Sequence, residues 1–264
     1  CENDYTNGLM LLDMPTGSGK TYSVIKYIFD AVQDSTVKRK FFFITTLKKN
    51  LPEEDLKARF EQAGQLTLVQ EKYLRVDSNY ESVIAGFKPE TVRHIPSEIK
   101  KTDEYKAVEQ YVNLVKSLRE EKRANLRNAL LAAEDSLRKE AEPRFRRMLQ
   151  AMLAKKYTTV DRRLYAIKTE KDWQWVAELY PSVFMRDRQI IFMSMDKFLS
   201  LNSTIVEPST MLYNSDLIED AVIFIDEFDA TKETVLKNII QNGLRDRVDY
   251  VELFNAVYSV LHTH

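Results

Sequence analysis

The sequence predicts an α/β domain: a parallel sheet flanked by helices and interrupted by a long, mainly helical insertion. Three observations carry this expectation. Short apolar or aromatic runs alternate with amphipathic segments in the first third of the chain. The stretch from Thr102 to Tyr157 contains no glycine and one proline, Pro143. Two further runs of strand character then return, at Arg188–Met193 and Ala221–Ile225. Strands separated by helices at this spacing imply parallel pairing through right-handed crossovers.

The first strand signal is Leu9-Met10-Leu11-Leu12. It leads into Met14-Pro15-Thr16-Gly17-Ser18-Gly19-Lys20-Thr21, and the amphipathic segment Tyr22 to Val32 follows. Lys40-Phe41-Phe42-Phe43-Ile44-Thr45-Thr46 reads as a buried strand. Leu51-Pro52-Glu53-Glu54-Asp55 reads as a helix entry, with proline in the first turn and acids at the positive end of the dipole. Leu56, Phe60 and Ala63 continue it at helical spacing, and Gly64 ends it. Leu66-Thr67-Leu68-Val69 reads as a further strand.

Two or three long helices are then expected, with Pro143 near a helix start. Their apolar stripes are Val108/Tyr111/Val112/Val115/Leu118, then Leu126/Leu130/Ala133/Leu137, then Phe145/Met148/Leu149/Met152/Leu153. The domain expectation is a discontinuous α/β unit, 1–75 and 187–264, with an insertion at 76–186. Trp173, Trp175 and Tyr180 could stack on bases, but aromatic residues at such spacing are more often core.

The 264 residues, 44% hydrophobic and 30% charged, suit one large globular domain or two small ones. The lone Cys1 excludes an internal disulfide framework, a cysteine-rich zinc site and an iron–sulfur cluster. It fits a reducing compartment, so the expected location is intracellular, cytoplasmic or nuclear. No apolar run approaches the roughly 20 residues of a membrane span, and no signal-peptide pattern opens the chain. His94, His262 and His264 are scattered without metal-ligand spacing.

A net charge of −1 argues against a uniformly basic nucleic-acid coat. It conceals an asymmetry, because Lys116 to Lys168 holds fifteen Lys/Arg against seven Asp/Glu. Within it, Arg144, Arg146, Arg147, Lys155, Lys156, Arg162 and Arg163 could grip a nucleic-acid backbone. They could equally form a solvated face paired with nearby acids.

Chemistry concentrates at two places. A strand, a glycine-rich turn and a helix N-terminus are what a phosphate-binding loop requires. Thr16, Gly17, Ser18 and Gly19 would curl backbone N–H groups around a phosphate, aided by the helix dipole. Lys20 would reach the β- and γ-phosphates, and Thr21 would set its hydroxyl on Mg²⁺. The bland alternative is a glycine-rich surface turn. The second place is Ala221–Ile225, which ends in Asp226-Glu227-Phe228-Asp229. Asp226 would hold Mg²⁺ through water, and Glu227 would orient and deprotonate the water that attacks the γ-phosphate. Taken alone it could be an acidic cap on a buried strand. Together, in this order, the two signatures point to one Mg-ATP site with Lys20, Asp226 and Glu227 as its catalytic set.

Thr-Gly-Ser-Gly-Lys-Thr followed by Asp-Glu-Phe-Asp resembles motifs I and II of the superfamily 2 helicases and translocases, the DEAD-like group. Met14 stands where many phosphate loops have their first glycine, which this group also lacks. The strand ending in Thr45-Thr46 resembles motif Ia. Ile191 to Leu199 resembles the segment before motif II. The resemblance implies a RecA-like (P-loop NTPase) fold, ATP and Mg²⁺ as ligands, and DNA or RNA as partner. Thr45, Thr46, Lys48 and Ser194 would touch the strand. The Met-Pro-Thr-Gly-Ser-Gly-Lys-Thr wording is also similar to helicases with an iron–sulfur insertion, but this chain carries a charged helical segment there and lacks the cysteines.

In this group ATP lies between two RecA-like domains, the second supplying arginines worth about 10³-fold or more. Only 35 residues follow Asp229, and no Ser-Ala-Thr type motif appears after it. The phosphate loop also lies close to Cys1. The expectation is therefore a piece of a longer protein, with the second RecA-like domain outside this chain and weak or no turnover alone. The rival functions are a phosphate-loop ATPase that remodels a protein partner and a nucleotide-binding scaffold without turnover.

Overall fold

The computed structural model describes residues 17–121, 124–226 and 236. The strand signal at Leu9–Leu12, the loop residues Met14 to Thr16 and the acids Glu227 and Asp229 lie outside these residues.

Helix α1 spans Lys20–Gln33 and leads to strand β1, Lys40–Thr45. Helices α2 (Glu53–Gln62) and α3 (Leu66–Lys72) precede strand β2 (Tyr73–Val76). The chain then leaves the sheet for a run of helices: α4 (Asn79–Gly86), α5 (Pro89–His94), α6 (Ser97–Lys100), α7 (Asp103–Glu121), α8 (Arg127–Ser136), α9 (Glu142–Lys156), α10 (Val160–Thr169) and α11 (Gln174–Leu179). It returns as strand β3 (Ile190–Ser194) and helix α12 (Met195–Leu199). The hairpin β4 (Leu201–Ser203) and β5 (Thr210–Leu212), helix α13 (Tyr213–Asp216) and strand β6 (Ala221–Ile225) follow.

Four strands form one parallel sheet in the order β2-β3-β1-β6. Strand β1 is central, and its side chains alternate between two cores. Phe41 and Phe43 point into one core with Ile25, Ile28, Leu56 and Phe60. Phe42 and Ile44 point into the other with Met193, Met195, Phe198 and Tyr213. A strand buried on both faces reads as an unbroken apolar run, which is why β1 and β3 stand where the sequence predicts strands; β6, half-buried along most of its length, also forms where its apolar run predicts it.

One expected strand is corrected. Leu66–Val69 is helical, the first part of α3, and the strand is the next segment, Tyr73–Val76. Gly64 adopts φ +68° and ends α2, and Gln65 N–H bonds back to Phe60 O at 2.8 Å before the chain resumes a helix. A four-residue apolar run fits either structure by periodicity. Leu74 and Val76, both buried, alternate with the half-buried Tyr73 and Arg75, the pattern of a sheet-edge strand.

The helical region between β2 and β3 has its own core. Val108, Val112, Val115, Leu137, Phe145, Leu149, Leu153, Trp175 and Tyr180 all lie in it. Met152, assigned by spacing to the third stripe, is instead exposed. Pro143 does sit at the start of α9, but no break separates α9 from α8. A π-helical turn at Leu137–Ala141 joins them. Proline lacks the N–H for a helical bond to the preceding turn, and the widened turn accommodates the loss. Polar anchors fix the return of the chain to the sheet. The Lys40 ammonium donates to Met185 O, Arg186 O and Arg188 O at 3.2, 2.9 and 2.6 Å. Gln189 donates to Val37 O and Arg39 O at 2.8 and 3.1 Å.

Candidate nucleotide site

Gly17 and Gly19 have φ +82° and +80°, left-handed conformations that cost a residue with a Cβ roughly 1–2 kcal/mol. Among the described residues nothing stands within 4 Å of where a Cβ would project from either, and both glycines are exposed. Helix α1 starts immediately after it, with Lys20 and Thr21 half-buried in its first turn and Ser23 N–H bonded to Gly19 O at 2.9 Å. Left-handed glycines ahead of a helix N-terminus turn successive N–H groups to one side, the arrangement that accepts an anion.

The sheet brings Asp226 to the same edge. Six residues, 34–39, link α1 to β1. The helix therefore runs back along the strand, and its roughly 21 Å match the strand's roughly 20 Å. Tyr27, midway along α1, meets Phe41 and Phe224 edge-on at 5.9 and 6.0 Å between ring centroids. The first turn of α1 thus returns to the carboxyl edge of the sheet. Strand β6 pairs with β1 through Ile44↔Ile225, and Asp226 N–H bonds Ile44 O at 2.9 Å, which puts the carboxylate just past that edge. Ligands of open parallel sheets bind outside the carboxyl ends of the strands. The residues present fit Mg-ATP: an open nest of N–H groups, an ammonium, a hydroxyl and a carboxylate. Thr16 and Glu227 lie outside the described residues.

The four residues expected to touch a nucleic-acid strand are placed differently from one another. Thr45 and Ser194 are neighbours in register at the ends of β1 and β3, and both are buried. The Ser194 hydroxyl accepts from Lys197 N–H at 3.3 Å and caps α12. The Thr45 hydroxyl has no hydrogen-bond partner among the described residues. Thr46 is half-buried at the turn. Lys48 spends its charge inside the protein, on Glu81 and, at 3.2 Å, on Asp77. Burial disfavours its ammonium, but the two carboxylates outweigh burial and hold its pKa above the ordinary value.

A polar network at this edge gave no sequence signal. Arg75 bridges Glu53 and Asp77 at 3.2 and 2.9 Å. Beside it Lys197, on the five-residue α12, has its amine 5.8 Å from the centre of the Tyr213 ring. Burial and the nearby Lys48 pull its pKa down to about 8, against the pull of Glu142, Asp77 and Glu81. A lysine in so short a helix leaves no periodic trace.

The seven cations singled out in the insertion separate into two groups. Arg146 pairs with the buried Glu142 at 2.8 Å, and Glu142 also accepts from Tyr180 at 3.2 Å. Burial raises the Glu142 pKa against the opposing pull of Arg146. Arg163 donates to Tyr157 O, Val206 O and Thr158 O. Lys156 lies 3.8 Å from Glu170 and over the Tyr157 and Trp173 rings. These three are structural. The side chains of Arg144, Arg147, Lys155 and Arg162 are exposed and pair with no acid among the described residues. Trp173, Trp175 and Tyr180 are all buried in the insertion core.

No protein-family model matches the chain, and no curated protein matches it in sequence. No helix among the described residues is long and apolar enough to cross a membrane.

Proposed function

We propose that this chain is the first, RecA-like motor domain of an ATP-dependent helicase or translocase that moves on DNA or RNA. The observation that carries this reading is the placement of two separate sequence signatures on one edge of a parallel sheet. Gly17 to Thr21 stand at the head of α1, and Asp226 stands at the end of β6. The loop amides and Lys20 bind and orient the triphosphate, and Thr21 and Asp226 hold Mg²⁺ between them. Bound Mg²⁺ supplies charge neutralisation at the transferring phosphoryl group. Glu227 follows Asp226 in sequence and is assigned the orientation of the attacking water. A second RecA-like domain, outside this chain, supplies the arginines that complete the site.

The test is ATP turnover by the chain alone and by the longer protein containing the second motor domain, with single-stranded DNA, double-stranded DNA or RNA added. A Lys20→Ala variant runs in parallel. Stimulation of the longer protein by one nucleic acid, lost in the variant, supports the reading and names the substrate. Turnover indifferent to every nucleic acid contradicts it and favours remodelling of a protein partner.

A further inference from the structure

A cavity of about 380 Å³ opens between α9 and the β4–β5 hairpin, far in sequence from the nucleotide loop. Arg146, Arg147, Gln150, Ser203, Ser209 and Thr210 line it. Its floor is built. Gln150 is buried and donates to Thr204 O and Glu207 O at 2.7 and 2.9 Å, clamping the hairpin turn onto α9. Arg146 is held at one edge by its bond to Glu142. Two acids are close among the described residues: Glu142, engaged by Arg146 and Tyr180, and Glu207, whose carboxylate accepts from the Ser209 hydroxyl at 2.9 Å. The Arg147 guanidinium has no partner among the described residues.

We propose that this cavity seats a backbone phosphate of a single nucleic-acid strand, bound by Arg147 with the Ser203 and Thr210 hydroxyls as donors. Planar guanidinium groups and hydroxyls are the groups that take a phosphate oxygen. The cavity does not stand alone, which favours a polyanion over a single phosphate. Arg144, Arg147 and Lys155 fall within roughly 80° of one another around α9 and extend over about 16 Å of its length. All three are exposed, and none pairs with an acid among the described residues. The inference rests on the nucleic-acid part of the proposed function, extended to the insertion.

The experiment is fluorescence anisotropy of the full chain with labelled single-stranded oligodeoxythymidine and oligouridine, across a salt series. A phosphoserine peptide serves as a competing probe. Arg147→Ala is expected to weaken binding of at least one oligonucleotide by about five- to thirtyfold. It is also expected to flatten the salt dependence by about 0.7 in log–log slope, one phosphate contact on a single strand. Thr210→Ala is expected to weaken binding less, with the slope unchanged. Arg147 and Thr210 are exposed, so neither change should alter thermal stability, which is checked on the same samples. Unchanged affinity and slope in Arg147→Ala, no oligonucleotide binding by the unaltered chain, or capture of the peptide alone would each overturn the inference. Lys20→Ala separates the two proposals. It should leave oligonucleotide binding intact while abolishing ATP turnover in the longer protein. Nucleic-acid-stimulated turnover with an inert Arg147→Ala sinks the cavity and spares the motor. Arg147-dependent binding without such stimulation does the reverse.

Discussion

Replacing Gly86 with alanine sets two physical effects against each other at one atom. Gly86 ends α4, where alanine is favoured over glycine by about 1 kcal/mol in a helix. A Cβ built there, however, would lie 2.2 Å from Glu178 O, 2.9 Å from Glu178 C and 3.1 Å from the Leu179 Cα. All three are backbone atoms of α11, so no side chain can swing aside. Relief needs α4 and α11 to separate by about 1 Å in a close-packed core, and overpacking of this kind costs about 1–3 kcal/mol or more. The clash outweighs propensity, and a net loss of about 2 kcal/mol is expected. For a chain of this size that lowers Tm by about 4–8 °C. The assay reads the affected region directly, because both tryptophans of the chain, Trp173 and Trp175, lie in the insertion core with α11. Tryptophan fluorescence melts of Gly86→Ala should therefore shift down by that amount. A rise in Tm, or a change below about 1 °C, would refute the close approach of α4 to α11.

Three further outcomes are expected. Gly19→Ala forces a Cβ into φ +80°. It should weaken Mg-ATP binding by about tenfold, measured with a fluorescent ATP analogue, while leaving the insertion melt unchanged. Lys48→Met leaves Asp77 and Glu81 without their shared cation and should cost about 1 kcal/mol in urea unfolding, with oligonucleotide affinity unmoved. Lys197 titrates near 8 in the folded protein against 10.5 for the free side chain. Between those values the folded state binds fewer protons than the unfolded one, so this group makes stability rise with pH across that window. The stability difference between the unaltered protein and Lys197→Met should grow in favour of the unaltered protein by about 1–2 kcal/mol from pH 8 to 10.5, allowing for the partial exposure of the amine. A difference that is flat or falls with pH contradicts the burial of Lys197.

The sheet was legible where burial on both faces wrote a continuous apolar run, as in Phe41–Ile44 and Ile190–Met193. It was illegible at Leu66–Val76, because a short apolar helix and a short edge strand stand side by side and each carries too few residues to show a period. Helices of the insertion were legible from their stripes, yet the fusion of α8 to α9 was not, since Pro143 signals a helix start whether or not a π turn precedes it. At the candidate site, the positive φ of Gly17 and Gly19 and the placement of Asp226 follow from motif spacing. The pairing of Lys48 with Asp77 and Glu81 does not, because those partners reach it only through the parallel crossover from β1 to β2. Of the paired insertion cations, Arg146 meets Glu142 four residues away on α9, while the pairing of Arg163 and Lys156 depends on which helix face meets Val206 and Glu170.

Equilibrium binding of ATP to the chain, with and without Mg²⁺, tests the central claim most directly when Lys20→Ala and Asp226→Asn are measured alongside. The account predicts weak binding that Mg²⁺ strengthens, loss of most affinity in Lys20→Ala, and loss of the Mg²⁺ effect in Asp226→Asn. Equal affinity in all three proteins, or no dependence on Mg²⁺ in the unaltered chain, would contradict it.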